Sequence, residues 1–327
     1  MLEETVNSGK TILVGDIGGT NARLAIATLS TDSSAPKIQD FRAYPNSEYH
    51  DMSQVIKQYQ IDFPNHKPTC ACLAVAGPIF DGTAHLTNLG WHLDEGKLQQ
   101  EFGFEDVKLV NDFAALARSV TALENNDLVI LTNGNNAPDS PIAIMGPGTG
   151  FGLALLVRHA AGVTVVPTEG GHISFVPQGE REQAVWENLQ NSLERVTVET
   201  MLSGVGLMRI YRELCHISHV SPLNYEPSTI SQLAMDGEDE LCMETLTIFC
   251  GIMGSVAGDL ALALGAKGGV FIGGGILPKV SDFFTNSHFL KRFLHKPPMS
   301  HFVADIPVNL ITAPDAALKG AALMFDQ

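Results

Sequence analysis

Apolar runs separated by glycine turns and by helical segments dominate the first third of the chain. The run TILVGD, the turn IGGTNAR and the second run LAIATLS predict two strands joined by a glycine turn. Further apolar runs predict strands in CACLAVAGP (70–78) and EDVKLVND (105–112). Helical spacing of apolar residues marks Met52–Tyr59, WHLDEGKLQQEFG (91–103) and FAALARSVTAL (113–123). Strands that alternate with helices in this way predict an α/β architecture.

The strand–turn–strand pattern returns after the polar break TNGNNAPDSP (132–141). IAIMG, PGTGFG and LALLV repeat the order of the first block, so VGDIGGTNARLAIA and MGPGTGFGLALLV form a weak internal repeat. The uncharged stretch 140–157 approaches the length of a membrane span. Its Gly-Pro-Gly-Thr-Gly centre instead predicts two strands around a turn.

The rest of the second half is mainly helical. The pattern predicts helices at 181–190, 199–201, 206–214, from about Met243 to Gly265, and at 314–325, the last with a proline near its first turn. Strands are predicted at GGVFIGG (268–274), which ends in the cluster Gly273-Gly274-Gly275, and at IPVNLIT (306–312). The polar patch STDSSAPK (30–37) predicts a hairpin loop.

Composition limits the class of protein. With 327 residues, of which 45% are hydrophobic and 17% charged, the chain has enough apolar material for a large core, and a disordered chain is excluded. At ~150 residues per domain this length predicts about two domains. The 36 acidic residues outnumber the 20 basic ones, giving a net charge of −16. Binding to nucleic acid or to an anionic membrane surface is therefore not expected.

Cysteine content and the first residues predict the compartment. The five cysteines do not form a disulfide framework, and Cys70 and Cys72 alternate with alanine in a predicted buried strand. The opening MLEETVNSGK has two glutamates and no apolar stretch, so no signal peptide is expected. These features predict a soluble, cytoplasmic protein.

Two familiar phosphate-binding motifs are excluded. SGKT (8–11) ends like a P-loop, but Glu4 stands where that motif requires a glycine, and a strand rather than a helix follows. GDIGGT is not a dinucleotide fingerprint because LAIATLS after it is strand-like, whereas that motif opens a helix.

Glycine turns between strands can still bind phosphate through their backbone N–H groups, because no side chain keeps the anion away. Thr20 and Thr149 add a hydroxyl to each of the two turns. Two such turns facing each other across a cleft would hold ATP with few lysines, and Mg²⁺ would neutralise part of its charge. Asp16 is the candidate ligand of that hydrated Mg²⁺, through water, and its alternative role is to close an Asx turn.

Five segments resemble the bacterial-type glucokinases, members of the hexokinase–actin–Hsp70 ATPase superfamily. They are LVGDIGGTNARLAIA, LVNDFAALA, MGPGTGFGLA, TEGGHISF and FIGGGILP, in the family's order and approximate spacing from Thr11 to Phe325. The resemblance implies a two-domain actin-like ATPase (ribonuclease H-like) fold, with mixed sheets flanked by helices and the active site in the interdomain cleft. The small domain would comprise residues 1–122 and 313–327, and the large domain residues 123–312.

The resemblance also implies roles for single residues. Asp112 would be the catalytic carboxylate, and Asn111, Asp112, Glu169, His172 and Glu199 would bind the sugar. The nucleotide would contact the glycine turns at Gly15, Asp16, Ile17, Gly18, Gly19, Thr20, Gly148, Thr149 and Gly274.

Taken alone, three of these residues also have structural interpretations. Asp112 also fits the role of an N-cap, His172 that of a structural histidine and Glu199 that of a first-turn helix glutamate. The EGGH segment lacks the spacing of a zinc site.

Three positions leave parts of the site open. Pro147 removes one N–H group from the second turn. SGVG (203–206) stands where the family commonly has a proline-containing turn, so the adenine contacts stay open. Asn88 is a further candidate for the sugar site.

The function implied by the resemblance is ATP- and Mg²⁺-dependent phosphorylation of glucose to glucose 6-phosphate, the entry step of glycolysis, by a homodimer. A kinase of the same fold that acts on another hexose or uses polyphosphate is the nearest alternative. A sugar-sensing regulator is disfavoured because about ten residues precede the first strand, and because Cys215, Cys242 and Cys250 lack zinc-loop spacing. A chaperone-like ATPase is disfavoured because the sequence ends after the last helix.

Overall fold

The structure, a computed structural model, describes residues 10–30, 35–135 and 137–325. Most of the segment examined for a signal peptide (1–9) and part of the predicted hairpin loop (31–34) lie outside the described residues. The chain divides into two units: unit 1 is Met1–Asp127 with Ala313–Gln327, and unit 2 is Leu128–Thr312. The first boundary between the two units lies after Asp127, and the strand that begins at the next residue was not predicted from the sequence pattern.

The described residues form two large sheets, one small sheet and the helices around them. The strands are β1 (Lys10–Ile17), β2 (Asn21–Leu29), β3 (Lys37–Pro45), β4 (Cys70–Val75), β5 (Ile79–Phe80), β6 (Thr83–Leu86), β7 (Trp91–Asp94), β8 (Asp106–Asn111), β9 (Leu128–Thr132), β10 (Ile142–Pro147), β11 (Phe151–His159), β12 (Gly162–Thr168), β13 (Gly269–Ile272) and β14 (Val308–Ile311). The α-helices are α1 (Met52–Asp62), α2 (Glu95–Phe102), α3 (Asp112–Ser119), α4 (Glu180–Gln190), α5 (Val198–Met201), α6 (Gly204–Ile217), α7 (Pro227–Asp236), α8 (Glu240–Leu264), α9 (Ser281–Thr285), α10 (Phe289–Leu294), α11 (Ser300–Ala304) and α12 (Ala316–Leu323).

The sheet of unit 1 has the strand order β3-β2-β1-β4-β8. β1 and β2 form an antiparallel hairpin, whereas β4 and β8 continue parallel to β1. Alternate residues of β1 bury opposite faces: Leu13 packs with residues of α1, while Ile12 and Val14 pack with residues of α12. Gly320 lets α12 approach α3 closely, because a Cβ there would collide with the carbonyl oxygen of Ala115. The final helix is therefore part of the core of unit 1.

The sheet of unit 2 repeats the plan of unit 1. Its order is β12-β11-β10-β13-β14-β9, and its first five strands have the same antiparallel and parallel pairings as β3-β2-β1-β4-β8. β9 is added antiparallel at the edge next to β14. The weak sequence repeat thus corresponds to a repeated topology, and the uncharged stretch 140–157 forms the hairpin β10–β11, as predicted.

Helix α8 fills much of the core of unit 2. Among the described residues it is the one helix long and apolar enough to cross a membrane by length and composition, and 72% of its most apolar window is buried inside the protein. Its neighbours include α6, α7 and α10. The five cysteines are all buried and free, in agreement with their prediction as unpaired residues.

Three local predictions are wrong. Trp91–Asp94 is strand β7 rather than the start of a helix, and α2 begins only after Asp94, whose side chain accepts the N–H of Lys97 as its N-cap. Pro314 precedes the last helix, whose N-cap is Asp315. The first glycine turn is shorter than the predicted IGGTNAR, because Ile17 belongs to β1 and residues 21–23 belong to β2.

Candidate active site

The first glycine turn, Gly18–Thr20, joins β1 to β2 in unit 1. The Gly18 N–H donates to the Asn21 carbonyl oxygen at 3.0 Å, which closes the turn. The carbonyl oxygens of Gly18 and Thr20 both accept hydrogen bonds from Asn46, at 2.8 and 2.9 Å. The N–H groups of Gly19 and Thr20 donate to none of the residues that the structure describes. Two neighbouring backbone donors are therefore available to an anion.

The second turn, Gly148–Gly150, joins β10 to β11 in unit 2 and has the same features. The Gly148 N–H closes the turn on the Gly150 carbonyl oxygen at 2.7 Å, and the Gly148 carbonyl oxygen accepts the N–H of Gly204 at 3.0 Å. Within the described chain, the N–H groups of Thr149 and Gly150 again have no acceptor. Each unit thus presents a pair of backbone donors at the same place in its sheet.

The first glycine of each turn is not required by the fold itself. Neither Gly18 nor Gly148 has a positive φ. A Cβ on Gly18 would come no closer than 3.7 Å to the Asn21 carbonyl oxygen, and one on Gly148 no closer than 3.7 Å to the Gly275 nitrogen. Close approach of a ligand is a remaining reason for glycine at these positions.

Three predicted nucleotide residues lie in β1 rather than in the turn. Gly15 is buried, and a Cβ there would lie 2.7 Å from the Leu73 side chain and 2.9 Å from that of Leu24, so its small size is explained by packing within unit 1. Ile17 is a buried core residue. Asp16 is the one of the three with a charged side chain.

Asp16 forms an ion pair with Arg23. The two residues are opposite each other in the β1–β2 ladder, and Arg23 Nη1 lies 2.9 Å from Asp16 Oδ2. The Asp16 side chain is 20% exposed and that of Arg23 is 49% exposed. Burial raises the pKa of the Asp16 carboxyl above its usual value, and the attraction of Arg23 offsets this only in part.

The third glycine cluster packs against the second turn. The Gly273 N–H donates to the Met145 carbonyl oxygen at 2.9 Å. Gly274 has a φ of 90°, and a Cβ there would collide with the Pro147 carbonyl oxygen, so both conformation and space require glycine. Because Gly204 also contacts the second turn, segments Gly273–Gly275 and 203–206 both border it in unit 2.

The junction between β8 and α3 carries Asn111 and Asp112. Asn111, not Asp112, is the N-cap of α3: its Oδ1 accepts the N–H groups of Phe113 at 3.0 Å and Ala114 at 3.2 Å. Its amide nitrogen lies 3.4 Å from the Gly77 carbonyl oxygen. Asp112 is the first residue of α3, is partly buried, and its Oδ1 accepts the Phe113 N–H at 2.8 Å. The alternative of Asp112 as the helix cap is therefore wrong.

Unit 2 brings Glu169, His172 and Glu199 onto adjoining segments. Glu169 precedes a short 3₁₀ turn, Gly170–His172, and His172 Nε2 lies 3.7 Å from Glu169 Oε2, with both side chains largely exposed. The following segment is tied to the start of α5 because the Val198 N–H donates to the Ile173 carbonyl oxygen at 3.0 Å. Glu199 lies in the first turn of α5, and its Oε2 accepts the Phe151 N–H at 2.8 Å.

Glycines explain the close packing of these segments. A Cβ on Gly171 would collide with the Phe151 carbonyl oxygen, and one on Gly150 would collide with Glu199 Oε2. The start of β11 is therefore held between the EGGH segment and Glu199. In unit 2, the predicted sugar residues and the second glycine turn form one connected region.

The sequence analysis did not find three residues that shape these regions: Arg23, Asn46 and Phe151. Of the three, Arg23 was the easiest to predict, because a three-residue turn after Ile17 places it opposite Asp16 in the hairpin. Asn46 and Phe151 act through contacts that only the folded chain reveals. Asn88 is exposed in the turn between β6 and β7.

Comparison with known proteins identifies the family. The glucokinase family model matches residues 13–327. The glucokinase of Saccharophagus degradans is 41% identical over 315 residues, which cover 96% of this chain and 98% of the relative. The chain belongs to the glucokinase family. It is therefore an enzyme, and the resemblance inferred from GDIGGTNAR and EGGH is confirmed.

Solved structures of glucokinases share the fold. The crystal structure of a glucokinase from an Antarctic psychrotroph is 40% identical, with a TM-score of 0.86, and the match covers 97% of this chain and 99% of that one. A ROK family glucokinase from Streptomyces griseus, solved in complex with glucose and AMPPNP, has a TM-score of 0.64 at 19% identity and covers 96% of this chain and 98% of that one. The predicted actin-like fold class is thereby confirmed.

Proposed function

We propose that this chain transfers the γ-phosphoryl group of ATP to the 6-hydroxyl of glucose. The observation that carries the proposal is the pair of glycine turns that join the strands of two β-hairpins, each with two backbone N–H groups that have no acceptor among the described residues. Membership of the glucokinase family supports glucose as the acceptor. ATP as the donor is supported by the related structure solved with an ATP analogue.

The turns would bind the phosphates of ATP. Backbone N–H groups of Gly19 and Thr20 in unit 1, and of Thr149 and Gly150 in unit 2, are fixed donors for anionic oxygens. Gly18 and Gly148 leave the backbone open to close approach, and Gly274 shapes the border of the second turn. Because phosphoryl transfer passes through a loose transition state, positioning and charge neutralisation account for most of the catalysis.

Polar side chains suited to hydroxyl groups would bind the sugar. Carboxylates of Glu169 and Glu199 accept hydrogen bonds from hydroxyls, and one oxygen of Glu199 is left for this purpose when the other binds Phe151. His172 adds a ring nitrogen beside Glu169. Asn111 would contribute its amide nitrogen, since its oxygen caps α3.

Asp112 would orient the 6-hydroxyl and accept its proton. Its place at the carboxyl end of β8, a strand of a partly parallel sheet, is where ligands of α/β proteins commonly bind. A general base positioned in this way accelerates proton transfer by typically ~10²–10⁴-fold. Because Asn111 supplies the N-cap, α3 does not need Asp112 for that purpose.

Asp16 suits a hydrated Mg²⁺ that is held mainly by water and phosphate oxygens, rather than an ion held by protein ligands alone. The described residues contain no group of three or more candidate metal ligands, and Mg²⁺ in kinases is commonly held by one or two carboxylates, waters and the phosphates themselves. Asp16 supplies one carboxylate next to the first turn, oriented by Arg23. When bound, the ion would neutralise the phosphate charge.

The test is an assay of sugar phosphate formation with purified protein, ATP and Mg²⁺ across glucose, mannose, fructose, galactose and N-acetylglucosamine, repeated with polyphosphate in place of ATP. Turnover that is highest with glucose and ATP supports the proposal. A higher kcat/KM with another hexose or with polyphosphate favours the alternative kinase. The same preparation, examined by light scattering, tests the expected homodimer, and cell fractionation tests the expected cytoplasmic location.

A further inference from the structure

We infer that Asn46, a residue outside every glucokinase-like segment, is a positioning residue that holds the first phosphate turn. The inference depends on the proposed function, because it assigns Asn46 to the ATP side of the reaction. Asn46 follows β3 directly and is 4% exposed. It lies 28 positions beyond Gly18 in the sequence.

Asn46 binds the turn at both ends. Its side-chain nitrogen donates to the Gly18 carbonyl oxygen at 2.8 Å, and its backbone N–H donates to the Thr20 carbonyl oxygen at 2.9 Å. These bonds engage the carbonyl groups that flank Gly19, while the N–H groups of Gly19 and Thr20 keep no acceptor within the described residues. A turn fixed through its carbonyl groups keeps its N–H groups in one orientation for an anion, so less conformational entropy is lost when the anion binds.

In unit 2 a different residue holds the carbonyl group of the first turn glycine. There the carbonyl oxygen of the first turn glycine, Gly148, accepts the backbone N–H of Gly204 at the start of α6, where helical N–H groups have no partner within the helix. In unit 1 the Gly18 carbonyl oxygen accepts from a side chain instead, the amide nitrogen of Asn46, which begins the 3₁₀ turn Asn46–Glu48. The repeated topology thus conserves one tether on the first glycine of each turn.

The side-chain oxygen of Asn46 indicates that burial of this amide does not stabilise the fold. Asn46 Oδ1 is buried and accepts no hydrogen bond, and among the described side chains it is the only buried polar atom in that condition. A buried acceptor without a partner destabilises the fold. An apolar side chain of the same shape would avoid this penalty, so the amide is better explained by its bond to Gly18 than by the packing of unit 1.

The test is Asn46→Leu, which keeps the branched shape of the side chain and removes both the donor and the unpaired oxygen. We expect the KM for ATP to rise about threefold to tenfold, the loss corresponding to one neutral hydrogen bond. The glucose KM should stay unchanged, and the melting temperature should hardly move, because removal of the unpaired oxygen offsets loss of the bond to Gly18. Hydrogen exchange of the peptide that contains Gly18–Asn21 should become faster. Asn46→Ala, which lacks the same amide, should raise the ATP KM equally and serves if the leucine variant does not fold.

Tyr59→Phe is the matched control. It removes one buried hydrogen bond in the same unit, from the Tyr59 hydroxyl to the Asp40 carbonyl oxygen at 2.9 Å, without touching the turn. It should lower the melting temperature and leave the ATP KM unchanged. An ATP KM within about twofold of wild type in the folded Asn46 variants, or an equal rise in Tyr59→Phe, overturns the inference.

Calorimetric titration with ATP separates the failure of this inference from the failure of the proposed function. If the wild-type protein phosphorylates no sugar, the proposed function fails. Weaker ATP binding by the Asn46 variants would then still support the tether, whereas unchanged ATP binding would reject it.

Discussion

The carboxylate of Glu199 accepts a hydrogen bond from the backbone N–H of Phe151 at 2.8 Å, across 48 positions of sequence. Phe151 is the first residue after the second glycine turn, and Gly150 lacks the side chain that would collide with this carboxylate. Glu199 therefore holds the residue that follows the proposed phosphate turn with one oxygen, and its other oxygen would bind a sugar hydroxyl in the proposed function. In that function, one side chain of unit 2 would act on both substrates.

Two substitutions at Glu199 separate its two contacts. Glu199→Gln keeps an oxygen that can accept the Phe151 N–H but removes the charge, and a hydrogen bond to a charged group contributes ~1.5–3 kcal/mol. The glucose KM should rise by about tenfold or more, with little change in the ATP KM. Glu199→Ala should raise both KM values, because the Phe151 contact is lost as well. Equal ATP KM values in the two variants would show that the bond to Phe151 does not position the turn.

Asp112→Asn should remove turnover and leave the fold intact. Because Asn111 caps α3, the change at Asp112 leaves the cap in place, and the melting temperature should hardly move. The loss of the general base should lower kcat by ~10²–10⁴-fold. Asn111→Ala is the comparison, since it removes the cap and should cost about 1 kcal/mol in the free energy of unfolding. A folded Asp112→Asn protein with kcat within a few-fold of wild type would contradict the catalytic role.

Gly18→Ala should weaken ATP binding without destabilising the protein. The added Cβ meets only the Asn21 carbonyl oxygen, at 3.7 Å, and replacing glycine by alanine at a compatible position stabilises by ~0.4–1 kcal/mol through the unfolded state. We expect an unchanged or higher melting temperature and an ATP KM raised by about tenfold or more, because the methyl group occupies space used by phosphate. Gly96→Ala, in α2 of the same unit, is the control that should leave both KM values unchanged. A lower melting temperature for Gly18→Ala would mean that the fold itself needs this glycine.

Asp16→Asn should stabilise the protein at neutral pH while impairing catalysis. Burial raises the pKa of Asp16 in the folded state, so the unfolded chain loses this proton at a lower pH than the folded chain does. Stability therefore falls as the pH rises through the interval between the two pKa values, and the ionised buried group is unfavourable above it. The gain in unfolding free energy from Asp16→Asn should be largest at neutral pH and should shrink toward about pH 4, near the pKa of an unperturbed aspartate. Denaturant titrations at both pH values measure it, and a loss of stability at neutral pH would show that the Arg23 ion pair outweighs burial.

The sequence predicts most buried elements of the fold and misses the exposed ones. β1, β4, β10 and α8 are recognisable because their residues are almost continuously apolar. β3 is missed because it is an edge strand whose residues are mostly exposed, so it carries little hydrophobic alternation. Residues 91–94 (WHLD) were predicted to start a helix but form β7. Asp94, the N-cap of α2, is polar like the first residues of that helix, so the sequence pattern does not mark where β7 ends.

The sequence predicts which segments carry the site better than it predicts what each atom does. The two turns are recognisable from glycine content between apolar runs. The alternative cap role of Asp112 is wrong because two adjacent residues can each cap a helix, and only the backbone of α3 decides between them. The Glu199–Phe151 and Asn46–Gly18 contacts depend on tertiary packing, which no local pattern encodes.

The packing of α12 has a consequence for the order in which the chain acquires its structure on the ribosome. Domains generally fold from the N-terminus as they are synthesised. Here Leu318, Ala321 and Ala322 complete a core with Ile12 and Val14, although the whole of unit 2 is translated between them. The unit that is made first is therefore finished last, and an early stop codon that removes only α12 would leave a nascent protein with its second unit formed and its first unit open to proteases.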